Sequence, residues 1–152
     1  MQSRADGPGG LTQHHLADLR RSGLTDETIA AAGLYSLSAA EAQALLERDD
    51  VGPGMAIPYA GCTFRTGTPY VRVRLDVPLL IRGHPARYLT KRGERNRLYV
   101  PPMVSLSILS DPTIPLVVTE GEKKALKACQ EGILCIALAG VWCWKTRVPD
   151  GR

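Results

Sequence analysis

The sequence predicts an α+β fold: a small helical head, then a basic antiparallel sheet, then an incomplete α/β unit of βαβ form. Three observations point there. Apolar residues recur at helical spacing through the first third of the chain, and from Met55 onward the period changes to two. From Pro115 a short apolar run ends on Glu120-Gly121 and turns directly into an amphipathic helix. The expected segments are a disordered tail over 1–10, the head over 11–50, the sheet over 51–102 and the α/β unit over 103–152.

In the head, Thr12 is placed to cap a helix carrying Leu16 and Leu19, with Gly23 as its stop. Thr25 caps a second helix through Ile29 to Gly33, and Ser38 with Glu41 forms a capping box for a third through Leu45 and Leu46. His14 and His15 read as a solvated pair, because neither has a partner spaced for metal in the neighbouring sequence. Asp49 to Gly54 breaks the helical pattern as a hinge.

Met55 to Tyr59 reads as a strand, Gly61 to Gly67 as a connecting turn, and Tyr70 to Leu75 as its antiparallel partner. Val71, Val73 and Leu75 share one face of that partner, and Arg72 and Arg74 the other. Arg82 to Arg97 is expected to be a loop-rich basic stretch enclosing Tyr88-Leu89, followed by a strand at Leu98 to Val100 and a stop at Pro101-Pro102. Val104 to Leu109 has room for one or two helical turns. Leu116 to Thr119 is β-branched, apolar and too short for a helix, which suits a buried parallel strand. Glu120 then falls at its carboxyl end, where open α/β sheets place ligand and catalytic groups. Gly121 permits the turn, Ala125, Leu126, Cys129 and Ile133 line the helix, Gly132 stops it, and Leu134 to Leu138 is the second strand.

No apolar run approaches the roughly 20 residues that span a bilayer, and the first residues lack the apolar core of a secretion signal. A cytoplasmic protein without a membrane partner is expected. Cys62, Cys129, Cys135 and Cys143 contain no Cys-x-x-Cys pair, so they read as reduced thiols and no zinc is expected. The chain carries a net charge of +4, but between Arg65 and Arg97 nine basic residues face two acids, Asp76 and Glu94. A concentrated positive field of this kind draws polyanions. In Thr90 to Arg97, glycine and small residues leave backbone amides free beside guanidinium groups, a combination suited to phosphate oxygens; a solvated loop is the other reading.

These residues resemble a known arrangement. Ile57-Pro58-Tyr59, Val71-Arg72-Val73-Arg74, Arg87-Tyr88-Leu89-Thr90 and Val117-Val118-Thr119-Glu120-Gly121 follow the order seen in the catalytic core of bacterial replicative primases and the toprim-containing primase-helicases of plasmids and phages. Glu120 to Ala125 and Gly140-Val141-Trp142 are similar to uncharacterised toprim-like domains of mobile-element replication proteins. The resemblance covers about residues 11 to 144.

What it implies is a nucleic-acid-binding portion of a primase-like replication protein, meeting single-stranded DNA or RNA and a helicase domain or protein. Arg72, Arg74, Arg87, Lys91, Arg92, Arg95 and Arg97 would contact phosphates. Lys123 and Lys124 either join them beside the acidic cleft or form a solvated face with Lys127, balanced by Glu122 and Glu131. Trp142 and Trp144 either stack on bases or pack against an apolar edge. Glu120 would act in phosphoryl transfer and help hold Mg2+, or else serve its own turn structurally. The family's Asp-x-Asp metal pair is absent: beyond the second strand Asp150 is the sole acid, and Lys124 stands where replicative primases carry an acidic residue. The chain is therefore not expected to be catalytic alone. The alternatives are a Mg2+-dependent primase or toprim nuclease completed from elsewhere, and a non-enzymatic protein-interaction module.

Overall fold

The computed structural model describes residues 10–60, 69–141 and 143 and has α+β architecture. The tail before Gly10, the turn over Gly61 to Gly67, Cys62, both tryptophans and Asp150 lie outside the described residues.

Three helices open the fold: α1 (Gln13–Arg21), α2 (Asp26–Ala32) and α3 (Ala39–Leu46). The caps explain the boundaries of two of them. Thr25 accepts from the Thr28 amide and Gly33 closes α2 in the left-handed conformation, while Ser38 and Glu41 cap α3 reciprocally. Thr12 holds the N-cap position of α1, but its hydroxyl turns away from the helix amides toward His14, His15 and Ser36. Between α2 and α3 lies a strand the sequence did not announce, β1 (Tyr35–Leu37). Three residues are too few to display a period.

The main sheet is antiparallel in the order β1-β2-β3-β4, with β2 spanning Gly54–Pro58, β3 Val71–Ile81 and β4 His84–Thr90. Arg82 to Arg97 was expected to be largely loop. Its first half is instead the return arm of a hairpin, closed by Arg82 and Gly83 with φ of 51° and 80°. Two positive φ values in a two-residue connection match the right-handed twist of the flanking strands. Pro78, Pro85 and a shift of register between Arg74 and Leu79 obscure the alternation that would have revealed it. In place of a strand over Leu98 to Val100, Tyr99 alone bridges to Ala137, exchanging backbone hydrogen bonds of 2.8 and 2.9 Å.

After the short helix α4 (Leu106–Leu109) comes the predicted βαβ unit: β5 (Val117–Glu120), α5 (Glu122–Gln130) and β6 (Cys135–Leu138), with β5 and β6 parallel from Val117↔Cys135 to Glu120↔Leu138. Only β6 is buried. Val117 and Val118 are 44% and 54% exposed, because among the described residues β5 pairs with β6 alone. Apolar β-branched composition identifies a strand but not how many neighbours it has.

Two apolar clusters lie on opposite faces of the sheet. One joins Leu16, Leu19, Leu24 and Ile29 of the head to Met55 and Ile57 of β2 and to Leu126 and Ala137 of the βαβ unit. The other packs Ala42 and Leu46 of α3 on Ala56, Val73 and Leu75. Arg72 and Arg74 alternate with Val73 and Leu75, so they point into the first interface. Among the described residues no helix is long and apolar enough to cross a membrane.

Candidate nucleic-acid interface

Two carboxylates bracket Gly121, whose φ of 92° lets the chain leave β5 and enter α5 at once. That turn sends them opposite ways. Glu120 is exposed at the strand tip, whereas Glu122 is only 3% exposed. The expectation that Glu122 balances surface lysines is therefore corrected: Glu122 lies on the apolar side of α5 with Ala125 and Leu126.

Glu122 Oε1 accepts from Tyr59 Oη (2.6 Å) and from Arg72 Nη1 (2.8 Å). Arg72 also donates through Nη2 to the Ala139 carbonyl (2.8 Å) and lies 4.7 Å from the centre of the Tyr88 ring. Burial, reinforced by the Glu122 charge, holds the Tyr59 hydroxyl far above the usual phenol range, so it remains a donor. Tyr70 and Tyr99 close on Tyr59 edge-on, at 4.8 and 5.0 Å between ring centres. Glu120 borders the turn that Arg72 grips, since a Cβ built on Gly140 would lie 3.9 Å from Glu120 Oε1.

Arg72 and Arg74 were expected to present their guanidinium groups outward to phosphates; both are turned inward. Arg72 is 13% exposed and committed to Glu122. Arg74 Nη1 lies 3.4 Å from Asp18 Oδ2 on α1, and the same oxygen accepts from Lys123 Nζ at 3.0 Å. Lys123 bonds Ser22 Oγ as well (3.1 Å), so it too is anchored to the head. Burial alone would raise the Asp18 carboxyl, but the Lys123 hydrogen bond and the Arg74 charge outweigh it and hold the group below its ordinary value. Two places further along β3, Asp76 meets His14 and His15 of α1. Arg72, Arg74 and Asp76 of β3 thus form a polar ladder between layers.

The other predicted cations lie nearer the surface. Lys91 pairs with Glu47 (2.6 Å), and Arg92 borders an open groove of about 620 Å³ with Glu47, Arg48, Asp49 and Asp50. Arg97 pairs with Glu94 (3.3 Å) and lies over the Tyr70 ring. Lys127 pairs with Glu131. Arg87, Arg95 and Lys124 are exposed and form no ion pair among the described residues. Of the thiols, Cys135 is buried and Cys129 and Cys143 are half-buried.

Residues 106–152 match a family model described as a domain of unknown function, DUF3854. The matched stretch holds α4 and the βαβ unit, with Glu120 and Glu122; the head and the main sheet lie before it. No curated protein and no solved structure matches the chain.

Sequence reasoning read His15, with His14, as a solvated pair, but His15 is buried against the sheet at 1% exposed; it set Glu122 among surface charges, counted Asp76 only as an acid of the basic stretch and did not single out Asp18. A signal existed for three of them. Glu122, Ala125, Leu126 and Cys129 share one helical face, as do His15, Asp18, Leu19 and Ser22, and a polar residue on an apolar face is a candidate for a buried pair.

Proposed function

We propose that this chain binds single-stranded nucleic acid through its phosphates, as the binding portion of a toprim-like, primase-type replication protein of a mobile element. The observation that carries the reading is the exposure of Arg87 and Arg95, which form no ion pair among the described residues. Phosphate contact needs cations that are not already neutralised. Arg72, Arg74 and Lys123 serve instead to assemble the platform from which these side chains project. A helicase domain or protein is the partner that the toprim resemblance adds.

Glu120 alone does not fit a Mg2+ ion, which takes several oxygen ligands. No group of three metal-ligating side chains among the described residues includes it. Its place at the carboxyl end of a parallel strand favours, as a second reading, a phosphoryl-transfer enzyme whose remaining acids come from elsewhere. Primer synthesis on a single-stranded template that is abolished by Glu120→Gln would support that reading over binding alone.

The binding test is fluorescence anisotropy of a labelled single-stranded oligonucleotide at several salt concentrations. Each phosphate contact contributes about 0.7 to the log–log slope for single strands, so Arg87 and Arg95 replaced together by alanine should reduce it by about 1.4. An unchanged slope would remove these residues from the footprint and leave the protein-interaction reading.

A further inference from the structure

His14 and His15 open α1, and Asp76 lies far along β3, yet packing of the head on the sheet brings them together. His14 Nε2 is 3.3 Å from Asp76 Oδ2, and His15 Nε2 is 2.7 Å from Asp76 Oδ1. The three ligand atoms lie within 4.8 Å of one another. They line a pocket of about 230 Å³ whose other walls include Thr12, Ser36, Glu41 and Pro53. We propose that His14, His15 and Asp76 form a site for one divalent transition-metal ion of the Zn2+ type, with a further coordination position open to the pocket.

The hydrogen-bond pattern around His15 favours this arrangement. Ser36 Oγ accepts from the Thr12 amide at 2.7 Å and donates to Thr12 Oγ1 at 3.1 Å. His15 Nδ1 lies 2.7 Å from Ser36 Oγ and 3.1 Å from Thr12 Oγ1, so it donates to one of these hydroxyls when Nδ1 carries the proton. In that tautomer Nε2 carries a lone pair directed at Asp76 Oδ1, 2.7 Å away. A proton on Nε2 bridges that contact, and a metal can take the proton's place. An Nδ1–H held by a hydroxyl is also the support that a ligating imidazole commonly has, since it fixes the tautomer and the ring plane.

Ligand type and spacing narrow the choice of ion. Two imidazoles and a single carboxylate suit first-row transition metals rather than Mg2+ or Ca2+, which prefer oxygen. Three protein ligands with a fourth position open are a familiar zinc arrangement. Two ligands each at about 2.0 Å from a tetrahedral ion lie roughly 3.3 Å apart. The separation of His14 Nε2 from Asp76 Oδ2 already has that value, whereas the contact of His15 Nε2 with the other carboxylate oxygen, Oδ1, must open by about 0.6 Å as Asp76 turns to the ion. His14 is 59% exposed and Asp76 23%, so the ion enters from the His14 side. Binding releases the shared proton to solvent and fastens the first turn of α1 to β3. The expectation against zinc rested on the lack of Cys-x-x-Cys pairs and of a metal-spaced partner for His14 and His15 in the neighbouring sequence; Asp76 reaches the histidines only through tertiary packing.

Titration of the full chain with Co2+, followed by displacement with Zn2+, tests the assignment. One equivalent of Co2+ should give visible d–d absorption without a thiolate charge-transfer band, and Zn2+ should raise the melting temperature. Loss of a supporting hydrogen bond costs 10–100-fold in metal affinity, so His14→Ala or Asp76→Asn, each removing a direct ligand, should cost at least about 10-fold. His84→Ala, on β4, should change nothing. A thiolate band, no stoichiometric binding at micromolar metal, or wild-type affinity in both ligand variants would overturn the site. Melting without metal shows whether each variant is folded. Should both variants misfold, the wild-type stoichiometry and spectrum still decide.

Discussion

The two carboxylates that flank Gly121 have opposite fates, and the difference decides what each can do. Glu120 stays in solvent at a strand tip, while Glu122 holds together Tyr59, Arg72 and, through Arg72, the Ala139 carbonyl. Removing one member of a buried ion pair leaves the other charged and unpartnered, at a cost of about 3–5 kcal/mol. Arg72→Met should lower unfolding stability in urea by that order, and adding Glu122→Leu should recover part of the loss. A cost below about 1 kcal/mol for the single change would show that the pair is not the anchor described. The position of Glu120 was legible in the sequence, because Gly121 marks where β5 must end. The burial of Glu122 was legible only from its helical face. The pairing of Arg74 and Lys123 with Asp18 was not legible, because Asp18 belongs to a different helix and only tertiary packing brings it near.

At the scale of elements, the junctions carry more information than the interiors. Gly121 combines φ of 92° with ψ of 135°, a region that side chains strongly disfavour, although a Cβ there would meet no neighbour within 4 Å. Gly121→Ala should therefore cost about 1–3 kcal/mol through backbone strain alone, read as a drop in melting temperature. Asp18 joins α1 to β3 and α5, and its carboxyl is held below the ordinary value of 3.8. Its contribution is complete above that value and is lost as pH falls through the lower native one. Asp18→Asn should lower stability at neutral pH and flatten the decline below about pH 4. An acid limb as steep as that of the parent chain would assign the decline to other carboxylates. The β3–β4 hairpin shows why strand prediction failed locally: prolines and a register shift break the alternation, while Arg82-Gly83 lacks the Asn-Gly signature of its turn type.

Across the whole molecule, the larger apolar cluster draws residues from the head, the main sheet and the βαβ unit. The head also clasps α5 directly: Gln130 accepts from the Thr25 amide and donates to the Gly23 carbonyl. Shared packing of this kind predicts a single cooperative transition, with far-ultraviolet circular dichroism and tyrosine absorbance coinciding during thermal unfolding. Two separated transitions would mean that the parts fold independently. The α+β class and the βαβ unit were legible from composition and period, but their docking was not, since it depends on pairs that local sequence does not join. One consequence follows from the ladder on β3. If that strand slid by a single residue, valine and leucine would come to lie opposite Glu122, Asp18 and the histidines, and every ionic clasp would fail together. Misalignment therefore has no cheap intermediate, and β3 works as a key with three teeth.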